Sequence, residues 1–191
     1  MHTTLIQTLS SVISIDEREI TCIKQLFKEK TAAKGDYFLQ EGEVCRQVGF
    51  LVKGLIRYFI NNDGEEMIYD FGKEGNFMCN YESFLDHSAS NKNIQFIEDS
   101  HFLIISYDHL QVFYEQIREG QKFGRIVCEQ IFVDAIRKIT SLYTHPPEKR
   151  YLHFMETYPD LQQRIPQYYT SSFVGVKPQS LSRIRKRLVS S

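Results

Sequence analysis

The segment "VGVKPQSLSRIRKRLVSS", residues 174–191, contains Lys177, Arg183, Arg185, Lys186 and Arg187 and no carboxylate, although the 191-residue chain has a formal net charge of −1. A guanidinium group is a forked donor that fits guanine edges or phosphate oxygens, and an amide such as that of Gln179 pairs with adenine. The segment therefore has the chemistry of a groove-binding surface. At about 100° per residue, Leu181, Ile184 and Leu188 fall on one side of a helix, and Gln179, Ser180, Arg183 and Arg187 on the other. Arg183 is the leading candidate for a base contact, followed by Gln179 and Ser180 near the helix start. Lys177, Arg185, Lys186 and Arg187 are suited to neutralising phosphates, a sequence-independent role. A second reading stays open on these residues alone: a solvated basic helix end, whose cations favour the helix dipole.

Other chemistry finds little support. Cys22, Cys45, Cys79 and Cys128 are dispersed without a CxxC pair, so buried, reduced thiols are expected rather than a disulfide framework or an iron–sulfur site. The six histidines, among them His101, His109, His145 and His153, show no metal-ligand spacing. There is no phosphate-binding glycine loop and no nucleophile elbow, and the carboxylates lie in surface-like contexts such as "IDEREI" and "DGEEM". No catalytic residue, metal or cofactor is expected, and the chain is not read as an enzyme. Hydrophobic content of 42% and charged content of 25% are those of a globular protein. No apolar run reaches membrane-spanning length and no basic leader opens the chain, so a cytoplasmic location without membrane attachment is the expectation.

The elements that would position the basic segment can be read backwards from it. Gly175 separates two short helical patterns over 168–188, the layout of a helix-turn-helix. Upstream, Thr144 and Pro146-Pro147 end one helix and open another. From about Arg118 to Tyr143 the chain reads as a single long helix whose apolar residues cover more than one face. One side then packs on its own domain, and Phe123, Ile126, Val127, Ile131, Ala135 and Ile139 are the candidate dimer interface; a helix buried wholly within its own chain is the alternative. Before that helix, short apolar runs separated by Gly, Asn and Asp read as an antiparallel barrel or sandwich. Asp63-Gly64, between two strand-like runs, predicts a tight hairpin. Ser14 and Glu17 fit a capping box ahead of Ile20, Ile23 and Phe27, predicting a short N-terminal helix. The expected division is a sensor barrel with N-terminal helices over 1–117, a dimerisation helix over 118–143 and a DNA-binding domain over 144–191.

This order of parts resembles the Crp/Fnr family of bacterial transcription regulators. "VGVKPQSLSRIRKRL" looks like that family's turn and recognition helix, with Gly175, Ser182, Arg183, Ile184 and Leu188 at matching places, and "GEVCRQVGFLVKGLIRYF" resembles its barrel strands. The resemblance implies an α+β fold: an antiparallel, jelly-roll, cyclic nucleotide-binding-like barrel, a long dimerisation helix and a winged-type helix-turn-helix. It implies base reading by Pro178, Gln179 and Arg183, with Lys177, Ser180, Ser182, Lys186 and Arg187 completing the DNA-binding set. Double-stranded DNA, a second copy of the chain and RNA polymerase are the implied partners. Few residues follow Leu188, so a reduced wing is expected.

The resemblance also marks where an effector would sit, and there the chain departs from it. Cyclic-AMP-binding members carry a Gly-Glu pair for the ribose and an Arg-Ser pair for the cyclic phosphate. Here Gly75 is followed by Asn76, Ser90-Asn91 stand near the Arg-Ser position, and Lys92 is the nearby cation. The apolar Ala135-Ile136 replace the hydroxyls that the long helix would offer a purine. Cyclic AMP is therefore not expected. The candidate pocket is Gly75, Asn76, Tyr81, Glu82, Ser90, Asn91 and Lys92, for an unknown effector or for none, the barrel then acting as a scaffold. The competing functional reading is a ligand-binding or protein-interaction module without specific DNA binding.

Overall fold

The computed structural model describes residues 1–189. They form two compact units, Met1–Ile60 with Asp70–Glu129, and Asn61–Tyr69 with Gln130 onward. The division falls inside the long helix, and the tip of the predicted hairpin clusters with the C-terminal residues.

The first unit opens with helices α1 (His2–Ser10) and α2 (Glu17–Leu26). The capping box of α2 is formed by Asp16 and Glu19, not by Ser14 and Glu17: Asp16 Oδ1 accepts from the Glu19 amide and Glu19 Oε2 from the Asp16 amide, both at 2.9 Å. Both pairs have the spacing that the motif needs, but the later start is the one that buries Ile23 and Leu26 on the inner face. Ser14 instead donates its amide to Glu119 Oε2 at 2.8 Å.

Eight strands follow: β1 (Lys28–Ala32), β2 (Tyr37–Leu39), β3 (Gln47–Lys53), β4 (Ile56–Asn62), β5 (Glu65–Gly72), β6 (Phe77–Met78), β7 (Asn93–Phe96) and β8 (Ser100–Ser106). They make two four-stranded sheets, ordered β1-β8-β3-β6 and β2-β7-β4-β5. The pairings are antiparallel, Gly49 of β3 standing opposite Ile104 of β8 and Met78 of β6. The predicted hairpin turn joins β4 and β5, with positive φ at Asp63 (51°) and Gly64 (84°), as a two-residue turn matched to strand twist requires. Between β6 and β7 lies the short helix α3 (Tyr81–Asp86).

Two apolar clusters hold this unit. One, including Leu39, Leu51, Ile56, Tyr58, Met78, Phe84, Ile94, Phe96 and Phe102, packs the space between the sheets. Phe96 and Phe102 lie 4.9 Å apart at their ring centroids, and Phe38 meets both edge-on. The other gathers Leu5, Leu9, Ile13, Ile23, Leu26 and Phe27 from the N-terminal helices around Phe50, Leu103 and Ile105. Phe113 and Phe123 complete it, the former from α4 (Tyr107–Gln116), a helix the sequence pattern did not separate, and the latter from α5 (Gly120–Thr144).

The second unit contains the rest of α5, then α6 (Pro147–Thr157), α7 (Leu161–Arg164), α8 (Gln167–Val174) and α9 (Pro178–Val189). Pro146 and Pro147 open α6 at the N-cap and first-turn positions, where a missing N–H costs nothing. Its buried side chains include Ile68, Tyr151, Phe154, Tyr158, Leu161, Ile165, Tyr169, Val174, Leu181 and Ile184. Phe154, Tyr158 and Phe173 form an aromatic triangle with centroids 5.4–5.9 Å apart. The expectation of a reduced wing falls on residues 190–191, outside the described residues.

Candidate nucleic-acid interface and effector site

The turn between α8 and α9 decides where the basic helix points. Gly175 is left-handed at φ 72°, its amide bonds to the Ser172 carbonyl, and the Val176 amide to that of Ser171. This is a Schellman closure, and the positive φ is why glycine stands there. Arg150 of α6 fixes the same corner. Its Nε donates to the Val174 carbonyl at 2.9 Å and its Nη1 to the His145 carbonyl at 2.8 Å, satisfying carbonyls that helix ends leave without partners. Sequence reasoning did not single out Arg150, because a cation that caps a distant turn has no local signature.

On α9 the predicted division of faces is present. Leu181 and Ile184 are buried and Leu188 half-buried, while Lys177, Pro178, Gln179, Ser180, Ser182, Arg183, Lys186 and Arg187 are exposed. The exposed residues differ in what they already do. Arg183 makes no hydrogen bond or ion pair among the described residues, whereas Arg187 Nη2 lies 3.5 Å from Glu148 Oε2. The Ser182 hydroxyl donates to the Pro178 carbonyl at 3.1 Å and accepts from Gln167 Nε2 at 2.9 Å, so it ties α9 to α8. A second serine performs a similar service at the hairpin tip: Ser172 Oγ accepts from the Ile68 amide at 2.9 Å and donates to the Glu66 carbonyl at 3.1 Å.

The long helix changes its buried face along its length. In its first part Phe123 is buried in the first unit's core, 5.8 Å from Phe77 and 6.2 Å from Phe113, and Val127 packs partly against that core. Ile126 is half-buried. From residue 131 the apolar side chains are exposed: Ile131, Phe132 (67%), Ile136, Ile139, Leu142 (60%) and Tyr143 (88%). With Ala135 they form one stripe about 140° wide, centred about 130° around the helix from the face that Phe123 and Val127 bury, and Val133, also exposed, lies outside it. Asp134, Arg137, Lys138 and Ser141 occupy the other side. This split explains why the sequence pattern covered more than one face.

At the predicted effector position the polar groups answer one another. Lys92 Nζ lies 2.8 Å from Glu82 Oε2, and this contact holds the Glu82 carboxyl below the usual range. Ser90 is buried, accepts from Asn80 Nδ2 at 2.7 Å and donates to the Lys92 carbonyl at 2.8 Å. Glu82, Ser90 and Lys92 are thus drawn together, through an Asn80 that sequence reasoning did not name. Asn91 is exposed beside them. Gly75 and Asn76 belong to a separate turn: the Gly75 amide bonds to Leu51, and Asn76 Oδ1 accepts from the Lys73 amide at 3.0 Å. Tyr81 turns to Cys128, with Oη 3.2 Å from Sγ, and burial raises its phenol. A cleft of about 480 Å³ in this unit is lined by Thr31, Asp36, Tyr37, Phe38, Gln40 and Glu43 among others, and by none of the seven predicted effector residues. Among the described residues no cluster of His, Cys, Asp or Glu is placed to hold a metal ion, and no helix is long and apolar enough to cross a membrane.

Comparison with known proteins agrees with this architecture. Residues 29–117 match the family described as "Cyclic nucleotide-binding domain". No curated protein is similar to the chain in sequence. Among solved structures, a cyclic nucleotide-binding domain containing protein from Listeria monocytogenes EGD-e superposes with a TM-score of 0.72 at 15% identity, over 98% of this chain and 91% of that one. The c-di-GMP responsive global regulator CLP of Xanthomonas campestris gives 0.69 at 14% identity, over 92% of each chain. A protein from Eubacterium rectale assigned to the crp/fnr family of transcriptional regulators gives 0.67 at 13%, over 92% of this chain and 85% of that one. Residues 29–117 thus resemble a cyclic nucleotide-binding domain, and the chain as a whole shares the fold of these solved structures.

Proposed function

We propose that the chain is a homodimeric transcription regulator that reads a two-fold symmetric DNA site with α9 of each copy. The observation that carries this reading is the division of α9: Leu181 and Ile184 are buried in their own unit, while Gln179, Ser180 and Arg183 are exposed with no carboxylate on the helix. Arg183 reads a base, Pro178, Gln179 and Ser180 lie beside it, and Lys177, Lys186 and Arg187 approach the sugar-phosphate backbone. Ser182 acts from within, joining α9 to α8.

The exposed apolar stripe on α5 supports the dimer, since two copies can cover it by an isologous contact. In this reading Ile131, Ala135 and Ile139 form the interface with Phe132, Ile136 and Leu142, while Phe123 serves its own unit. Two recognition helices about 34 Å apart would then meet successive major-groove turns. The DNA-bound dimer acts on transcription through RNA polymerase, in the cytoplasm. The barrel serves as a scaffold rather than a cyclic AMP sensor, because Lys92, the cation at the effector position, is already paired with Glu82.

Selection of bound sequences from random double-stranded DNA through rising salt tests the reading. The expected result is enrichment of a two-fold symmetric site whose binding falls steeply with salt. Failure to enrich any symmetric sequence would overturn it.

A further inference from the structure

Two cysteines that stand 34 residues apart in the sequence meet in the first unit, with Cys45 Sγ 3.7 Å from Cys79 Sγ. Both backbones are held. The Cys45 amide donates to Ser83 Oγ at 2.9 Å, and its neighbour Val44 bridges Ala89. Cys79 follows Met78, which pairs with Gly49 of β3. Cys45 is 2% exposed and Cys79 half-buried, so a reagent must be small to reach the pair.

We infer that Cys45 and Cys79 form an oxidisable dithiol site that reacts with a small hydroperoxide and closes to a disulfide. Bond formation requires the sulfurs to close from 3.7 Å to about 2.05 Å. The two thiols are also unequal. A hydrogen bond from Cys79, opposed by burial but helped by backbone hydrogen bonds at Asn80 and Gln47, brings Cys45 down to about 7, while the same contact and burial push Cys79 up. Cys45 is therefore the nucleophile and Cys79 the resolving thiol.

In the first step the Cys45 thiolate attacks one peroxide oxygen and the O–O bond breaks. The alkoxide, or hydroxide, leaves with the proton that Cys45 gave up, and Cys45 becomes a sulfenic acid. In the second step Cys79 Sγ attacks the Cys45 sulfur, the S–S bond forms and the S–O bond breaks. Hydroxide leaves with the Cys79 proton as water. Two thiols are oxidised by two electrons, and the hydroperoxide is reduced to an alcohol, or to water, plus one further water. The other cysteines serve as internal controls: Cys22 Sγ meets Gln116 Oε1 and Cys128 Sγ meets the Tyr81 hydroxyl, each at 3.2 Å.

The test uses the full chain, treated with hydrogen peroxide, then alkylated, digested and weighed. The expected product has lost two hydrogens, contains a peptide linking Cys45 to Cys79 within one chain, keeps Cys22 and Cys128 alkylatable, and reverts with dithiothreitol. In Cys79→Ser the reaction stops at a dimedone-trappable sulfenic acid on Cys45, and in Cys45→Ser peroxide consumption falls at least about tenfold. Full alkylation of Cys45 and Cys79 after peroxide, or a linkage between separate chains, would overturn the site. So would undiminished peroxide consumption by Cys45→Ser. Because the wild-type peptide map decides the question, a variant that fails to fold leaves the proposal testable. The readout is independent of DNA binding.

Discussion

The effector position and the recognition helix both collect polar and charged side chains, yet they dispose of them in opposite ways. At the first, Lys92 meets Glu82, Ser90 meets Asn80, and Asn76 closes its own turn. On α9, Arg183 is exposed and makes no hydrogen bond or ion pair among the described residues. Polar groups that satisfy each other stabilise a loop and offer a ligand little, because any newcomer must displace a bond already made. A cationic face kept in solvent by an apolar stripe on its back offers its donors at no such cost. The presence of charge therefore says less than whether the fold has already engaged it.

The largest effect that would sharpen this contrast comes from the dimer stripe, on which two-fold reading depends. Ile139→Asp is expected to convert the dimer to a monomer by sedimentation and to cost more than about 2 kcal/mol in binding the selected site, since a charge would be forced into an apolar contact. A monomer already present in the wild type would break the account of α5. Next comes Arg150→Ala, which removes one charge-assisted bond to Val174 at the α8–α9 turn and one to His145 between α5 and α6, and should lower unfolding stability by about 1.5–3 kcal/mol in denaturant titrations. Lys186→Ala is smaller: affinity should drop similarly on all sequences and the salt slope by about one. Smallest is Lys92→Met. It disrupts an exposed pair, and DNA affinity should stay the same in the presence or absence of added cyclic AMP. A nucleotide-dependent change abolished by this substitution would make Lys92 a ligand contact and remove the contrast.

What was legible in the sequence was the local and periodic part. Asp63-Gly64 announced its hairpin through the positive φ that the turn needs, and Leu181, Ile184 and Leu188 announced the inner face of α9 through their spacing. The capping box was found two residues early, because Ser14–Glu17 and Asp16–Glu19 satisfy the same pattern and the packing of Ile23 and Leu26 chooses between them. The rest depended on contacts between residues distant in the chain. Phe123 looked like an interface residue until α4 and β6 supplied Phe113 and Phe77 to bury it. Arg150 reaches Val174, and Cys45 reaches Cys79, across separations that carry no periodicity. At the effector position the residue types could be read, but not that Lys92 and Glu82 would neutralise each other.

The central claim is that α9 reads base sequence and that Arg183 does much of that reading. It is tested most directly by comparing wild type and Arg183→Ala on the selected symmetric site and on unrelated DNA at one salt concentration. The account predicts a loss of about 1–3 kcal/mol on the selected site with a much smaller loss on unrelated DNA, so that preference relaxes at one position in each half-site. An equal loss on both DNAs would contradict it, making Arg183 a phosphate contact and α9 a basic surface without sequence preference.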